Sequence, residues 1–204
     1  MVTTQDFGPQ DQGRGSYARL KDSGDSLVAV GDYRRARSYY QAAVAVAPER
    51  VDAYLGLGAA AAGQQDWQAA RTAFDTARAI EPTCAEAYAG LAMLCQQRQE
   101  YASAFDWYLK CLELDTDNLV ALLGLFQTSC CMGTFAKIIG FLEAYLLRHS
   151  DDVAVLFCLA SLYARDGRLT EARDAAVRVL AAEPEKAEAA ELLAKINQHA
   201  HQTT

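Results

Sequence analysis

The chain has 204 residues, of which 51% are hydrophobic and 22% charged, a composition typical of a globular protein rather than a disordered or membrane-spanning one. Its 26 acidic and 19 basic side chains give a formal net charge of −7, which disfavours binding to nucleic acid, because phosphates attract a positive surface. Alanine is the most frequent residue type and proline occurs only 4 times, so an all-helical fold is the leading expectation.

The N-terminal residues 1–16 are polar and contain glycine, and we expect them to be disordered. They lack the basic start, the apolar core and the cleavage site of a secretory signal. The longest charge-free run, residues 118–136, is interrupted by polar residues and glycine, which disfavours a membrane span. We therefore expect a cytoplasmic protein without membrane insertion, and the six cysteines agree because they lack a disulfide framework.

Proline spacing divides the following residues into repeats of fixed length. The separation of Pro82 and Pro184 along the chain is three times the separation of Pro48 and Pro82. Self-similarity at a fixed period indicates a repeat architecture. The five predicted repeats span residues 17–50, 51–84, 85–118, 119–152 and 153–186.

Each repeat is predicted to contain two helices separated by a turn. Apolar residues at its fourth, seventh, eighth and eleventh positions share one face of the first helix. The break between the helices falls at Gly31-Asp32, Gln65-Asp66, Gln99-Glu100, Gly133-Thr134 and Gly167-Arg168. One helix pair cannot bury its own apolar face, so neighbouring pairs are expected to stack.

The side chains inside the repeats recur at matching positions. The second repeat contains Tyr54, Leu57-Gly58, Ala70, Phe74, Ala77 and Pro82, and the third contains Tyr88, Leu91-Ala92, Ala104 and Tyr108. Over the five repeats this pattern resembles the tetratricopeptide repeat, a unit of about 34 residues that carries an aromatic, Leu-Gly, Tyr, Ala, an aromatic and Pro. The resemblance covers residues 17–186 and implies an all-α fold, a right-handed superhelix (α-solenoid) of antiparallel helix pairs.

The fourth repeat departs from this pattern. It has Phe126, Ile138 and Tyr145 at positions that are normally small, and Ser150 replaces the proline. Larger residues at close contacts should push this helix pair apart. After the fifth repeat, residues 187–204 are predicted to form a capping helix and a frayed C-terminus.

No pattern of residues indicates catalysis, so we expect no enzyme and no catalytic residue, cofactor or metal site. His199 and His201 could form a metal-binding pair, but a metal site needs more ligands held rigidly. Cys130, Cys131 and Cys158 could form a thiol sensor, although nothing evident nearby would lower a thiol pKa.

In the family that the sequence resembles, the first helices line a concave groove that receives partner segments. The fifth and ninth positions of each repeat lie on that surface, and in repeats two to five they are mostly apolar although the fold does not require them to be. These candidate groove residues are Leu55, Ala59, Ala89, Met93, Leu123, Gln127, Phe157 and Ser161. Gly56, Gly90 and Gly124 beside them are expected to leave room for a ligand. The predicted ligand is an apolar or amphipathic segment of a protein or peptide partner, the alternative being that these residues only pack against neighbouring first helices.

A second surface is predicted on the outward face of the second helices, where the chain changes from polar to apolar in mid-sequence. Its members are Ala102, Phe105, Leu109, Ala136 and Ile139. We consider it a candidate patch for homo-oligomer formation, with local packing of the irregular fourth repeat as the alternative.

These features predict a protein–protein interaction scaffold or adaptor. One alternative is a structural protein that self-assembles through the outward patch. Another is a cytoplasmic chaperone for secreted subunits, similar to the short acidic tetratricopeptide chaperones of secretion systems.

Overall fold

The computed structural model describes the backbone of residues 9–202 and the side chains of residues 15–198. Within these ranges the chain forms eleven α-helices and no β-strand. The helices are α1 Pro9–Ala29, α2 Tyr33–Val46, α3 Val51–Gly63, α4 Trp67–Ile80, α5 Ala85–Gln97, α6 Tyr101–Leu114, α7 Leu119–Met132, α8 Ala136–Leu146, α9 Val153–Arg165, α10 Leu169–Ala182 and α11 Ala187–Gln202. Helices α1–α5 belong to one compact unit, the N-terminal half, and α6–α11 belong to a second, the C-terminal half.

The odd-numbered helices after α1 begin one repeat period apart. They start at Val51, Ala85, Leu119, Val153 and Ala187, where the sequence period places the starts of repeats two to five and of the terminal helix. Short turns join consecutive helices, which favours antiparallel packing of neighbours. Within the halves, α1 packs closely on α2, α3 on α4, and α9 on α10.

A left-handed residue marks the turn after each first helix. Three of these residues are glycine and two are glutamine: Gly31, Gln65, Gln99, Gly133 and Gly167. Aspartate then caps the next helix in the N-terminal half, as where the Asp66 carboxylate accepts a hydrogen bond from the Ala69 N–H at 3.1 Å. Asp66 also pairs with Arg37 of α2 at 2.8 Å, which ties this turn to the preceding helix pair.

Aromatic rings of the second helices occupy space left by glycines of the first helices. A β-carbon added to Gly58 or to Gly90 would lie 2.6 Å from Cε1 of Phe74, a separation that real side chains do not tolerate. The same relation joins Tyr40 to Gly24 and Gly56, and Tyr108 to Gly124. The expectation that Gly56, Gly90 and Gly124 leave room for a ligand is therefore wrong, because a ring of this chain already fills the space.

Alanine lies where the two helices of a pair approach most closely. Three repeats whose helix pair lies within one half have a fully buried alanine at the twentieth position, namely Ala36, Ala70 and Ala172. A small side chain there lets the helix axes come close and excludes voids.

The fourth repeat has a looser helix pair, as its larger residues predict. Ile138 holds the buried position of the alanines, and α7 packs on α8 much less closely than α9 packs on α10. Helix α8 is joined to the following pair by a polar contact, in which the Tyr163 hydroxyl donates to Oε1 of Glu143 at 2.6 Å. Burial, together with this acceptor, raises the pKa of Tyr163 to about 12, so the hydroxyl stays protonated at neutral pH.

The first helix begins earlier than the sequence indicates. Helix α1 starts at Pro9, so residues 9–16 of the expected disordered tail are helical, and residues 1–8 lie outside the described part of the chain. Proline is favoured in the first turn of a helix, and adding turns to a packed helix costs less than starting one. At the other end, α11 buries Ala189 and Ile196, while residues 203–204 are not described.

The ring-and-glycine packing predicts opposite effects of one substitution at two helical glycines. Gly90→Ala should lower the free energy of unfolding by about 1–3 kcal/mol, because its β-carbon collides with the Phe74 ring. Gly140→Ala in α8 meets no atom within 4 Å and should raise it by up to about 1 kcal/mol through helix propensity. Urea denaturation of both variants measures the difference.

Phe74→Leu introduced together with Gly90→Ala is the control for the collision. The smaller leucine side chain should recover part of the stability lost in Gly90→Ala. The effects of the two substitutions on the free energy of unfolding should therefore not add. A Gly90→Ala variant as stable as the parent would contradict the packing described here.

Candidate partner-binding surface

The N-terminal half presents two of its four predicted groove residues to solvent. Met93 is 43% exposed and Ala59 is also exposed. Leu55 is half-buried and packs on the core around Val51 and Ala87. Ala89 is buried, which favours for this residue the alternative of packing between helices.

One end of this half is polar, because Lys21 and Asp25 lie there. Their side chains form an ion pair of 2.6 Å, and the Tyr40 hydroxyl donates to the other oxygen of Asp25 at 2.7 Å. The hydrogen bond to Asp25 raises the pKa of Lys21. The Lys21 ammonium is therefore already paired with a carboxylate of its own helix.

The C-terminal half brings two predicted groove residues together at an open cleft. Phe157 and Ser161 of α9, both half-buried, line a cleft of about 450 Å³ whose other wall is α11. The Ser161 hydroxyl donates to the carbonyl of Phe157 at 2.9 Å, so it is satisfied within its helix. Leu123 of α7 is half-buried and Gln127 is exposed, and neither lines this cleft.

Sequence reasoning missed the contribution of α11 to this cleft. Leu192 and Ile196 form part of its floor, and four charged residues surround it: Arg165, Glu188, Glu191 and Lys195. The repeat period does indicate this contribution. If a sixth repeat is counted from Ala187, Glu191 and Lys195 occupy the positions that Phe157 and Ser161 hold in the fifth repeat. Treating residues 187–204 only as a cap concealed this.

The outward patch is only partly a surface. Phe105 is 9% exposed and Ile139 only 3%, and this burial favours for both side chains the alternative of local packing. Ala102 and Ala136 are exposed and Leu109 is half-buried. Phe135 and Lys137 of the fourth repeat lie beside Phe105.

An apolar cleft nevertheless remains beside this patch. It measures about 430 Å³ and is lined by Phe105, Met132, Thr134, Phe135, Ala136 and Lys137. The Lys137 ammonium lies 5.9 Å from the centre of the Phe105 ring, a cation–π distance.

Two of the three cysteines considered for a redox role are shielded. Burial raises the pKa of Cys158 to about 11 and also raises that of Cys130. Both are half-buried, whereas Cys131 is exposed. A thiolate rather than a thiol is the reactive form, so the environments of Cys130 and Cys158 disfavour reaction at neutral pH.

The histidines do not converge with other ligands in the part of the chain that is described. The His149 ring stacks on Tyr145 at 4.4 Å, and its Nε2 lies 3.3 Å from a carboxylate oxygen of Asp117. No group of three or more metal-ligating side chains occurs among residues 15–198. The side chains of His199 and His201 lie outside that range.

The stacked helix pairs, their regular period and the small residues at helix contacts define a helical repeat protein. The tetratricopeptide repeat family matches residues 21–83, 60–118 and 141–187. The chain belongs to the tetratricopeptide repeat family. The unmatched residues 119–140 contain α7, the first helix of the irregular repeat.

Solved structures share this fold at low sequence identity. The chain is similar to pilF of Pseudomonas aeruginosa, with 17% identity, a TM-score of 0.76 and coverage of 92% of this chain and 86% of that one. The chain is also similar to the MamA protein, with 22% identity, a TM-score of 0.65 and coverage of 85% of this chain and 94% of that one. A third similar structure is YrrB, described as a tetratricopeptide repeat protein with an unusual peptide-binding site. Its identity is 14%, its TM-score is 0.64, and the match covers 84% of this chain and 89% of that one. No curated protein matched the chain.

None of the helices that the structure describes combines the length and apolar character needed to cross a bilayer.

The cysteine environments predict an order of alkylation. At pH 7.4 iodoacetamide should modify Cys131 first, and Cys130 and Cys158 roughly tenfold or more slowly, because their raised pKa values reduce the thiolate fraction. Peptide mass spectrometry over a time course measures the order. Modification of Cys158 before Cys131 would contradict the shielding.

Proposed function

We propose that the chain is a protein–protein interaction scaffold whose first-helix surface binds an apolar or amphipathic segment of a partner. Its role is binding rather than catalysis, as is typical of the family to which it belongs. A cytoplasmic location is part of the proposal, and it is supported by six cysteines that are all free.

The open cleft at Phe157 carries this proposal. An aromatic side chain that is half-buried at the edge of a cleft offers apolar area to a partner without being needed to fill the core. The ammonium of Lys186 lies 5.7 Å from the ring centre, and this lysine pairs with Glu183 at 2.7 Å, so the ring has a polar neighbour as well. Such a surface suits an amphipathic segment.

The similar structures support the same class of function. The peptide-binding site named for YrrB occurs on a fold that this chain shares over 84% of its length. The exposed Met93 of the N-terminal half gives a further apolar contact of the kind that adaptable binding surfaces use.

Self-association is a second candidate function because of the apolar cleft at Phe105. Met132, which is 39% exposed, and Ala136 lie at its accessible side. A second copy of the chain could cover these residues, whereas the buried Ile139 would stay within its own protomer.

The groove proposal predicts that Leu123→Glu with Phe157→Glu abolishes partner capture. Two carboxylates on this surface would have to be desolvated against an apolar segment. Pull-down from native lysate, read by mass spectrometry, compares this variant with the parent. The matched control is Val177→Glu on α10, where a 49% exposed side chain lies outside the Phe157 cleft.

Circular dichroism and thermal melting accompany the pull-down. Partner proteins lost from the double variant but retained by Val177→Glu, with both folds intact, are the expected result. Unchanged capture would refute the groove, and collapse of the fold would assign Leu123 and Phe157 to the core.

Self-association, the second candidate function, predicts that substitutions in the Phe105 cleft lower the mass of the protein particle in solution. If the chain self-associates through the Phe105 cleft, Met132→Glu with Ala136→Glu should convert an oligomer to a monomer, because the new charges oppose apolar contact. Sedimentation equilibrium of parent and variant measures it. An identical mass for both proteins would exclude this cleft as the interface.

A further inference from the structure

We propose that the cleft between α9 and α11 selects its partner segment by the order of charges. The occupant is a peptide segment of another protein in which one apolar residue lies between a basic and an acidic residue. This inference rests on the proposed binding function and specifies the chemistry of the segment.

The repeat that ends with α10 lacks the aromatic ring that the first three repeats carry on their second helix. Tyr40, Phe74 and Tyr108 hold the twenty-fourth position of the first three repeats, and each faces glycines of first helices. In the fifth repeat this position is Ala176, whose small side chain is fully buried. The space between α9 and α11 is an open cleft, and no aromatic ring from α10 lines it.

The floor of the cleft is apolar. Phe157 and Ala164 from α9 face Leu192 from α11, and all three are partly accessible. An apolar side chain placed there would exclude water from both helices, which is the favourable contribution to binding.

The two ends of the cleft carry opposite charges. Glu188 and Glu191 lie in the first two turns of α11, whereas Arg165 is the last residue of α9 and Lys195 lies further along α11. Short turns join α9 to α10 and α10 to α11, so we infer that α9 and α11 run in the same direction. The acidic pair therefore marks the end where both helices begin, and the basic pair marks the opposite end.

Three of these charges lack an internal partner among the described side chains. Within residues 15–198, neither Arg165, Glu188 nor Glu191 forms an ion pair or a side-chain hydrogen bond. Their positions suit the helix dipoles, since Glu188 lies at a helix start and Arg165 at a helix end. These three side chains are thus available to pair with a partner.

The separation of the ends limits the spacing of the segment. Glu188 and Lys195 are two helical turns apart on α11, or roughly 10 Å along the axis at ~1.5 Å per residue. An extended peptide covers that distance with about three residues, and a helical one with about seven. The apolar residue would lie between the two charges.

Selection from a phage library of random dodecapeptides tests the proposal. The parent and a swapped variant, carrying Arg165→Glu, Lys195→Glu, Glu188→Lys and Glu191→Lys, serve as separate baits. Parent-selected peptides should share one charge order around an apolar residue, and variant-selected peptides should show the reverse order. A control bait with Arg173→Glu and Asp174→Arg, which exchanges charges on α10 outside the cleft, should select like the parent.

Synthetic peptides then measure how strongly charge order affects binding affinity. By fluorescence anisotropy the best parent-selected peptide should bind the parent roughly tenfold more tightly than its charge-reversed form, and the swapped variant should invert this preference. Melting curves verify that all baits are folded.

Two outcomes separate this inference from the proposed function. If Phe157→Glu abolishes binding of the selected peptide but charge reversal changes nothing, the groove stands and the charge order is refuted. If Phe157→Glu leaves binding intact, or no peptide is enriched over a bare support, the groove proposal fails together with this inference.

Discussion

The contact of an aromatic ring with glycines on the first helices is the constraint on which the rest of the structure depends. Phe74 needs two positions without a side chain, Gly58 in its own repeat and Gly90 in the next, because close-packed interiors cannot absorb an extra methyl group. One ring thereby fixes how three helices approach each other. The fourth repeat relaxes this requirement, since Leu142 stands in the aromatic position and the glycine of its own first helix is replaced by Phe126.

The ring contacts differ in how far the residue beside the glycine is buried. Ala89 beside Gly90 is buried, whereas Leu55 beside Gly56 and Leu123 beside Gly124 are half-buried. In the fifth repeat Ala176 holds the position of the ring, and the cleft at Phe157 lies between α9 and α11 of that part of the chain. The accessibility of the first-helix surface therefore differs from one repeat to the next.

Much of the fold could be read from the sequence, because the repeat period fixes both the helix starts and the turns. The site was harder, since a glycine on a helix signals close approach without saying whether the approaching group is a ligand or a ring such as Tyr40. Counting positions in the repeat places Ile139 on the outward face, but that count assumes a regular helix pair, which the fourth repeat does not supply. The sequence pattern alone does not show that Glu191 and Lys195 of α11 lie on the wall of a cleft, since this depends on how α11 packs beside α9.

The loosely packed α7–α8 pair has a consequence for how the C-terminal half unfolds. In linear arrays stability is the sum of each repeat and its interfaces with neighbours, so cooperativity is weakest where an interface is poor. Opening at α7–α8 leaves the contacts of α9 with α10, and of α10 with α11, in place. We therefore expect the segment that carries the charged cleft to behave as a separate cooperative unit, or foldon, which keeps its form while α7 and α8 open.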